Sequence, residues 1–515
     1  MTEPADSDSL PPGRQAGVCL HVTSLPGPRG IGEIGREAFA FVDTLRRMDL
    51  GVWQFLPTGP TAYGDSPYQL LSTFAGNEMM IATDDLLEAG LLRPAETAAL
   101  EELPRDRVDY AALIPLKTAL LQVAAARFDR VADSALKSAR DDFCEEHDAA
   151  WLHDYARYRI LKSRHGERPW PEWEERYAHR QPEAFAELEA EAGAAIDMIR
   201  TIQFLFRHQW RRLRAYAHEQ GVRLFGDMPI YIPLDSADAW AKPELLQLDG
   251  NGRPERVAGV PPDYFSADGQ LWGNPLYAWD RHAATDYRWW VERLRAAVTL
   301  ADLVRIDHFR GFEAYWSIPA GAETARDGTW VPGPGDALFA ALERSLGRLP
   351  VVAENLGVIT PEVEALRARH GLPGMMVLQF AVADPGFHLA GVPEYCVCYT
   401  GTHDNDTTRG WFAGSPNDLR PPEEIERTRR AALEITGGTP ATIHDDLTRA
   451  AFATPARLAI APMQDYLGLG SEARLNTPGT TWNNWRWRLN PASVTDVFCD
   501  HVGAMVTASG RAPAR

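Results

Sequence analysis

Three acidic side chains, Asp307, Glu354 and Asp404, each lie at or just after the end of a short apolar run in this sequence. Side chains alternate between the two faces of a strand, so Arg305 and Asp307 point the same way if residues 301–307 form a strand. The positive charge of Arg305 then favours the ionised form of Asp307, which suits a nucleophile. Glu354 has no cation beside it in the sequence, and a raised pKa would allow it to donate and then accept a proton.

Carboxyl groups in these two protonation states are suited to the cleavage of a glycosidic bond. An ionised carboxylate attacks the anomeric carbon, a carboxylic acid protonates the leaving oxygen, and the transition state resembles an oxocarbenium ion. Asp307 is the candidate nucleophile, Glu354 the candidate acid and base, and Asp404 the candidate group that stabilises the positive ring. A single acid at a strand end could equally be a structural hydrogen-bond acceptor, but three in one pocket would be costly without a function.

Eight apolar runs that end in polar residues supply the elements that would position these acids. They span residues 16–21, 52–56, 222–227, 301–307, 349–354, 375–379, 395–402 and 457–464. The runs are nearly continuously apolar, as buried parallel strands are, and most are separated by helical patterns. This alternation predicts an α/β fold, a (β/α)8 TIM barrel, with its active site at the carboxyl ends of the strands. Those ends contain His21, Asp227, Asp307, Glu354, Gln379, His403, Asp404 and Gln464.

Two connections are longer than a barrel needs. The connection at 57–201 contains charged amphipathic patterns and predicts a helical subdomain inserted after strand 2. The connection at 228–288 is rich in Pro, Gly, Asp and aromatic residues, and predicts a loop-rich insertion after strand 3 that contains a lid over the active site. We therefore expect one catalytic barrel over residues 16–515, preceded by a flexible N-terminus at 1–15.

A formal charge of −19 over 515 residues argues against a nucleic-acid partner or an anionic membrane surface, because both need clustered Lys and Arg. A neutral substrate fits this charge best. The five cysteines form no C-x-x-C pair and residues 1–15 have no signal-peptide pattern, so we expect buried, reduced thiols in a cytoplasmic protein. No run approaches the roughly 18 apolar residues that would span a bilayer.

Residues 30–35 match G-x-G-x-x-G, the pattern of a dinucleotide-binding turn. A Rossmann turn follows its strand at once, whereas residues 23–29 intervene here. A tight loop that opens the first helix is the favoured interpretation, and a nucleotide-dependent oxidoreductase is the weakest alternative. The sequence contains no Walker-type phosphate motif and no H-E-x-x-H zinc motif, so no metal and no organic cofactor is predicted.

Two segments, 63–68 and 259–275, interleave aromatic side chains with small polar ones. Trp and Tyr present flat apolar faces with a polar edge, and such faces match the apolar side of a pyranose ring. Turn chemistry and small satellite cores would account for the same composition. The favoured interpretation is a set of sugar platforms over the mouth of the barrel.

The motifs around these residues resemble the amylomaltase family of 4-α-glucanotransferases, which is related to the α-amylase clan. The similar segments follow the family's order over about residues 17–488. They are GDSPYQ at 64–69, GDMPI at 226–230, residues 259–275, RIDHFRGFEAYW at 305–316, AENLG at 353–357, GTHDN at 401–405 and LGSEARLNTPG at 469–479. These motifs are long and specific.

The resemblance implies an enzyme of carbohydrate metabolism whose donors and acceptors are α-1,4-glucans and maltooligosaccharides. A glucan segment would pass through a covalent glucosyl-Asp307 intermediate to the 4-hydroxyl of another glucan or of glucose, with retained configuration. The resemblance also implies a barrel with inserted subdomains and no separate C-terminal β domain. It gives Asp307, Glu354 and Asp404 the roles argued above.

The resemblance further implies the residues that would hold the sugars. Donor-side sugar would contact Arg305, His308, His403, Asp227, Ser66 and Tyr68. A loop over the acceptor side would contain Asp263, Tyr264, Gln270, Trp272 and Asn274. Tyr63 is similar to part of a second glucan-binding surface in some members.

Two positions depart from the family pattern. Asn355 follows the acid/base glutamate where the family usually has Asp, and TTWNNW at 480–485 replaces a more typical Gly before Asn484. The sequence leaves open a hydrolase with the same acids and a glucan-binding barrel without activity. It also leaves open the preferred chain length and whether the protein is a monomer or a weak dimer.

Overall fold

The computed structural model describes residues 9–262, 268–415, 418 and 420–513, except the side chain of Tyr63. The described residues form the strands β1 (Gln15–Cys19), β2 (Val52–Gln54), β3 (Arg223–Pro229), β4 (Arg256–Val260), β5 (Gln270–Pro275), β6 (Leu303–Asp307), β7 (Ala314–Pro319), β8 (Thr329–Pro332), β9 (Val351–Ala353), β10 (Gly374–Val377), β11 (Cys396–Tyr399) and β12 (Leu458–Pro462). Strands β1, β2, β3, β6, β9, β10, β11 and β12 pair in parallel, and each overlaps one of the eight predicted runs. The predicted α/β barrel is confirmed.

The barrel strands follow one another in the order β10-β11-β12-β1-β2-β3-β6-β9. All residues of β1, β2, β9 and β11 are buried, which explains why these strands lack the alternation of a one-sided sheet. Between β9 and β10, the backbone N–H of Ala353 donates to the carbonyl of Pro373 (2.9 Å). The backbone N–H of Met375 donates to the Asn355 side chain (2.8 Å). These two bonds close the barrel.

The described helices lie between these strands and in the connections. They are α1 (Arg36–Arg47), α2 (Thr83–Glu88), α3 (Pro94–Glu101), α4 (Tyr110–Val131), α5 (Ser134–His147), α6 (His153–Arg164), α7 (Glu175–Ala178), α8 (Pro182–Glu219), α9 (Ala237–Ala241), α10 (Trp279–Ala284), α11 (Arg288–Leu300), α12 (Asp336–Leu346), α13 (Pro361–Arg369), α14 (Leu378–Ala381), α15 (Thr408–Ala413), α16 (Pro422–Thr436), α17 (Ile443–Ala453), α18 (Met463–Tyr466) and α19 (Asp496–Ala508). The helix α1 begins directly after Gly35, so the glycine-rich segment opens a helix, as expected.

Residues 182–195 and 202–220 have two separate helical patterns in the sequence, but they form one helix of 38 residues, α8. Residues 196–201 contain no Gly or Pro that would end a helix, and both Ile196 and Thr201 are buried. The helix α8 therefore begins among the helices that follow β2 and ends just before β3. One continuous helix joins this insertion to the barrel.

A buried ionic cluster fixes the same insertion to the first loop of the barrel. Glu33, within the glycine-rich segment, pairs with Lys117 of α4, and both side chains are less than a tenth exposed. The Lys117 ammonium also donates to the carbonyl of Ile81 (2.7 Å) and to the hydroxyl of Thr83 (2.7 Å). Glu33 accepts from that hydroxyl at 2.6 Å. The glycine-rich segment thus presents a carboxylate to a lysine, which is a structural use of this motif.

A second sheet lies outside the barrel. It is antiparallel, with the order β5-β4-β7-β8, and its small core contains Val257, Ile318 and Ala325. The strands β4 and β5 form a hairpin inside the segment for which loops were expected. This sheet is absent from the prediction because β4 pairs with β7, a strand that follows β6 in the chain.

One described helix, α4, is long and apolar enough to cross a bilayer by length and composition. It packs against α3 and α8 in the insertion. Its Lys117 is buried in the ionic cluster, and Pro115 lies inside it. Packing within the insertion buries part of its apolar residues, such as Leu113, Leu121 and Phe128.

We expect Lys117→Ala to lower the free energy of unfolding by about 3 to 5 kcal/mol, because it leaves the buried Glu33 carboxylate without its cation. The double variant Glu33→Gln, Lys117→Met should recover much of this loss. Urea unfolding followed by circular dichroism measures both, with the exposed Lys242→Ala as the matched control. A Lys117→Ala protein as stable as the control would contradict the structural importance of the pair.

Candidate active site

Arg305 lies between two carboxylates at the carboxyl ends of adjacent barrel strands. Its guanidinium contacts Asp227 of β3 (Nη1–Oδ2, 2.7 Å) and Asp307 of β6 (Nη2–Oδ1, 2.6 Å). Asp227 and Arg305 are register partners in the parallel ladder, and Asp307 follows two residues later on the same face, as the strand period predicts. The Tyr68 hydroxyl donates to the same Asp227 oxygen (2.7 Å). The site therefore contains a row of four hydrogen-bonded side chains in which one guanidinium faces two carboxyl groups.

Glu354 is held at the end of β9 by two backbone N–H groups. Its carboxylate accepts from His308 (2.7 Å) and from Leu356 (2.8 Å). His308 adopts a left-handed backbone (φ 55°), which is strained for a non-glycine residue and turns its N–H toward Glu354 directly after Asp307. Burial raises the pKa of Glu354 to about 7, and the charge of Asp307 adds to this effect. Glu354 is thus able to exchange a proton near neutral pH.

Asp404 projects from the loop after β11, and its side chain is 45% exposed. The Asn476 amide donates to one of its carboxylate oxygens (2.6 Å), and Arg474 donates to its backbone carbonyl (2.7 Å). The ring of His403 lies 3.4 Å from the same carboxylate. Three side chains from two loops therefore fix the position of an acid that remains open to the cleft.

The candidate donor-side residues lie together. The ring of Tyr68 stacks on that of His403 (5.1 Å between centroids, 17° between planes), and Trp485 lies 6.0 Å from each ring. The Ser66 hydroxyl accepts from the backbone N–H of Tyr68 (3.2 Å), which orders the turn before this stack. Burial lowers the pKa of His308 to about 4, so its imidazole is neutral at neutral pH.

The acceptor-side candidates occupy the β4–β5 hairpin. Trp272 lies edge-on to the ring of His308 (4.8 Å) and its indole N–H donates to Gln270 (3.1 Å). Asn274 is buried at the end of β5. Asp263, Tyr264 and the side chain of Tyr63 lie outside the described residues, so the structure does not place them.

Asp404 opens onto a cleft of about 810 Å³, which is also lined by Trp272 and by residues that the sequence analysis did not single out. These include Phe380 of α14, Trp411 of α15, Glu424 of α16 and Arg420, which precedes α16. Asn476 was also missed as a site residue, although it lies inside a motif quoted above. The aromatic residues Phe380 and Trp411 gave no signal, because they lie outside those motifs.

Several buried polar atoms close to the candidate acids have no hydrogen-bond partner among the described residues. They are Oδ1 of Asp227, Nε of Arg305 and Nε2 of His308. Buried polar groups are normally satisfied, so these atoms are suited to the hydroxyls of a neutral, polyhydroxylated ligand. Across the part of the chain that the structure describes, no group of three or more His, Cys, Asp or Glu side chains could hold a metal ion.

Comparison with known proteins identifies the family. The family described as 4-alpha-glucanotransferase matches residues 20–495. The chain belongs to the 4-alpha-glucanotransferase family. It is 45% identical over 505 residues to the 4-alpha-glucanotransferase of Thermus thermophilus, covering 97% of this chain and 99% of that one. The Synechocystis 4-alpha-glucanotransferase is 43% identical over 505 residues, with 97% and 98% covered.

A solved structure agrees with this assignment. Amylomaltase from Streptococcus agalactiae in complex with acarbose superposes with a TM-score of 0.91 at 37% identity, covering 97% of this chain and 100% of that one. The amylomaltase resemblance drawn from the motifs is therefore confirmed, and the chain is an enzyme, a 4-alpha-glucanotransferase.

Asn355, which departs from the 4-alpha-glucanotransferase pattern, lies at the closure of the barrel directly after Glu354. Its amide donates to Glu364 of α13 (2.6 Å), while its carbonyl oxygen accepts from the backbone of Met375 (2.8 Å). Glu364 also pairs with Arg367 (2.7 Å). A donor at this position suits the ionised Glu364, so Asn is matched to its neighbour here.

The second departure from the family pattern, at Asn483, is explained by the backbone conformation there. Asn483 stands where the family more typically has Gly, and it adopts a left-handed conformation (φ 61°). Asn tolerates this region better than other side chains except Gly, so the turn is retained.

We expect Asn355→Asp to lower the free energy of unfolding by about 1 to 3 kcal/mol, because it replaces a hydrogen bond by two facing carboxylates. The double variant Asn355→Asp, Glu364→Gln restores a donor and should recover most of the loss, whereas Glu364→Gln alone should have little effect. Urea unfolding of the three variants tests this. Equal stability of Asn355→Asp and the wild type would show that the Asn355–Glu364 bond does not matter.

Proposed function

We propose that this 4-alpha-glucanotransferase acts by double displacement with retained configuration. The Asp307 carboxylate attacks the anomeric carbon of an α-1,4-glucan, the bond to the leaving 4-oxygen breaks, and Glu354 gives its proton to that oxygen. The product is a glucosyl ester on Asp307 and a shorter glucan. The 4-hydroxyl of a second glucan or of glucose then attacks, Glu354 takes its proton, and the Asp307 carboxylate leaves.

One observation supports this assignment most strongly: the environments of the two carboxyl groups differ. Asp307 forms an ion pair with the buried guanidinium of Arg305 at 2.6 Å, whereas burial raises the pKa of Glu354 to about 7. When two acids in one site have environments that separate their protonation states, the ionised one suits the nucleophile and the neutral one the general acid. If Glu354 were the nucleophile and Asp307 the general acid, the cation would have to pair with Glu354 instead.

Asp404 is the proposed stabiliser of the positively charged ring. Asn476 fixes its position, and its side chain is open to the cleft. Its negative charge can therefore act on a bound sugar, because no Arg or Lys among the described residues forms an ion pair with it. Such a fixed negative charge stabilises an oxocarbenium-like transition state more than the neutral substrate.

The proposed sugar contacts are those that the family resemblance implies. Asp227, Arg305, His308, His403, Ser66 and Tyr68 would hold the donor, and Gln270, Trp272 and Asn274 would cover the acceptor together with Asp263 and Tyr264. Tyr63 would belong to an outer glucan surface. Maltooligosaccharides and longer α-1,4-glucans are the proposed donors and acceptors.

We propose the following organisation around this site. Residues 16–515 form one catalytic barrel, with a helical subdomain at 57–201 and a lid-bearing insertion at 228–288. The protein acts in the cytoplasm without a nucleic-acid or membrane partner, and no metal or organic cofactor enters the reaction.

We expect Asp307→Asn to lower kcat by at least about 10³-fold while maltotriose binding stays within a few-fold of the wild type, because the amide cannot form the glucosyl ester. Incubation with maltotriose, with products resolved by chain length, should give the wild type a ladder of longer maltooligosaccharides plus glucose. Calorimetry measures binding, and the exposed Asp141→Asn is the control.

Near-normal turnover by Asp307→Asn would overturn the nucleophile assignment. Maltose and glucose without a ladder, from the wild type, would instead indicate hydrolysis and contradict the acceptor site. No products from maltotriose or from longer glucans would favour a binding protein.

The pH dependence follows from Glu354. Its protonated form is the proton donor in the first step, so kcat/KM should fall about tenfold per pH unit above pH 7, as the proton is lost. The decline should be absent below pH 6, where Glu354 is protonated in nearly all molecules. Initial rates from pH 5 to 9, with circular dichroism to exclude unfolding, test this. A profile flat to pH 9 would contradict the assignment of Glu354 as the acid.

A further inference from the structure

Trp482 is a large aromatic side chain left in solvent. It is 74% exposed, and among the described residues no ring packs against its indole and no hydrogen bond to it is formed. A single exposed valine, such as Val497, needs no explanation. A tryptophan has 150 to 250 Å² of surface to bury, so its exposure on a folded chain favours a binding role over a packing role.

The loop that presents this indole, residues 476–485, is called here the rim loop. Its ends are joined by the backbone N–H of Trp485, which donates to the carbonyl of Leu475 (2.7 Å). The buried Asn484 ties its interior: the carbonyl oxygen accepts from Thr477 N–H (3.0 Å), and the amide donates to the carbonyl and the hydroxyl of Thr480 (both 3.0 Å). The indole therefore projects from a hydrogen-bonded loop, so little conformational entropy is lost when a ligand binds it.

The base of the rim loop belongs to the active-site cleft. Asn476 donates to the Asp404 carboxylate at 2.6 Å, and Trp485 lies beside the stacked rings of Tyr68 and His403. The next residues along the loop, Thr477, Pro478 and Gly479, line the cleft itself. Trp482 follows Gly479 by three residues in the exposed part of the same loop.

We propose that Trp482 is a platform for an outer glucose unit of a long α-1,4-glucan. The flat apolar face of the indole fits the apolar face of a pyranose, and its free N–H can donate to a sugar hydroxyl. This inference rests on the proposed function, and it adds a binding site that selects for chain length. The protein's charge of −19 disfavours an acidic polymer on the same surface.

The position of Trp482 determines which sugars it contacts. Asn476 contacts a catalytic carboxylate, whereas Trp482 lies six residues farther along the loop, on its solvent side. The units at the reaction centre are therefore held by Arg305, His308 and their neighbours, and only a chain that extends over the rim reaches the indole. Its contribution should appear with long glucans and vanish with short ones.

The test compares substrates of different length on the full-length enzyme. For Trp482→Ala, the ratio of kcat/KM for long-chain amylose to kcat/KM for maltotriose should fall about threefold to tenfold, which is the range of one aromatic contact. Trp482→Phe retains an apolar face and should recover part of the ratio. Val497→Ser, which removes an exposed apolar side chain on α19, is the matched control and should leave the ratio unchanged.

Binding of maltooligosaccharides to the inactive Asp307→Asn enzyme measures affinity without turnover. Calorimetry should show maltoheptaose binding more tightly than maltotriose, and the added Trp482→Ala change should reduce this advantage. An unchanged ratio and an unchanged advantage would overturn the platform. So would a shift in sedimentation coefficient between wild type and Trp482→Ala, since the indole would then be a contact between copies. If no substrate is turned over, the proposed function fails, yet the calorimetric comparison still tests the platform.

Discussion

The whole site depends on the buried guanidinium of Arg305. Two carboxyl groups, Asp227 and Asp307, approach within hydrogen-bond distance of it, and the fully buried Asp227 would be a costly unpaired group without this cation. An arginine keeps that charge under all relevant conditions and offers two N–H groups in fixed directions. The ladder between β3 and β6 sets the arrangement, because it places Asp227 opposite Arg305 and Asp307 one pleat farther.

The charge of Asp307 also acts on Glu354. The αL turn at His308 brings a backbone N–H to the Glu354 carboxylate, so the candidate nucleophile and acid are joined through one residue. Two backbone donors favour the carboxylate, yet burial and the charge of Asp307 outweigh them and raise the pKa to about 7. Asn355 then closes the barrel next to this acid without adding a negative charge. His308 therefore connects Asp307, which precedes it in the chain, to Glu354, which accepts its N–H, and these two acids must differ in protonation.

The barrel could be predicted from the sequence because buried parallel strands are local, nearly continuous apolar runs, and because polar residues such as Asp307 and Glu354 end them. The contacts that hold the site could not be predicted in this way. Asp404 is held by Asn476, which lies more than seventy residues later, and β4 pairs with β7 across a barrel strand. Such pairings leave no periodic signal. Family motifs named the segments, but only the fold shows which side chains meet.

In the proposed mechanism, transfer and hydrolysis use the same three acids and differ only in the hydroxyl that attacks in the second step. Water is present at about 55 M, so a millimolar acceptor competes equally only if the site favours it by about 5 × 10⁴-fold, or about 6 kcal/mol. Arg305 and its carboxylates serve either hydroxyl alike. The preference must come from the surfaces that bind the acceptor and exclude water, such as Trp272 above His308 and the wall at Phe380 and Trp411. The barrel thus determines the chemistry, and the loops around its mouth determine the acceptor.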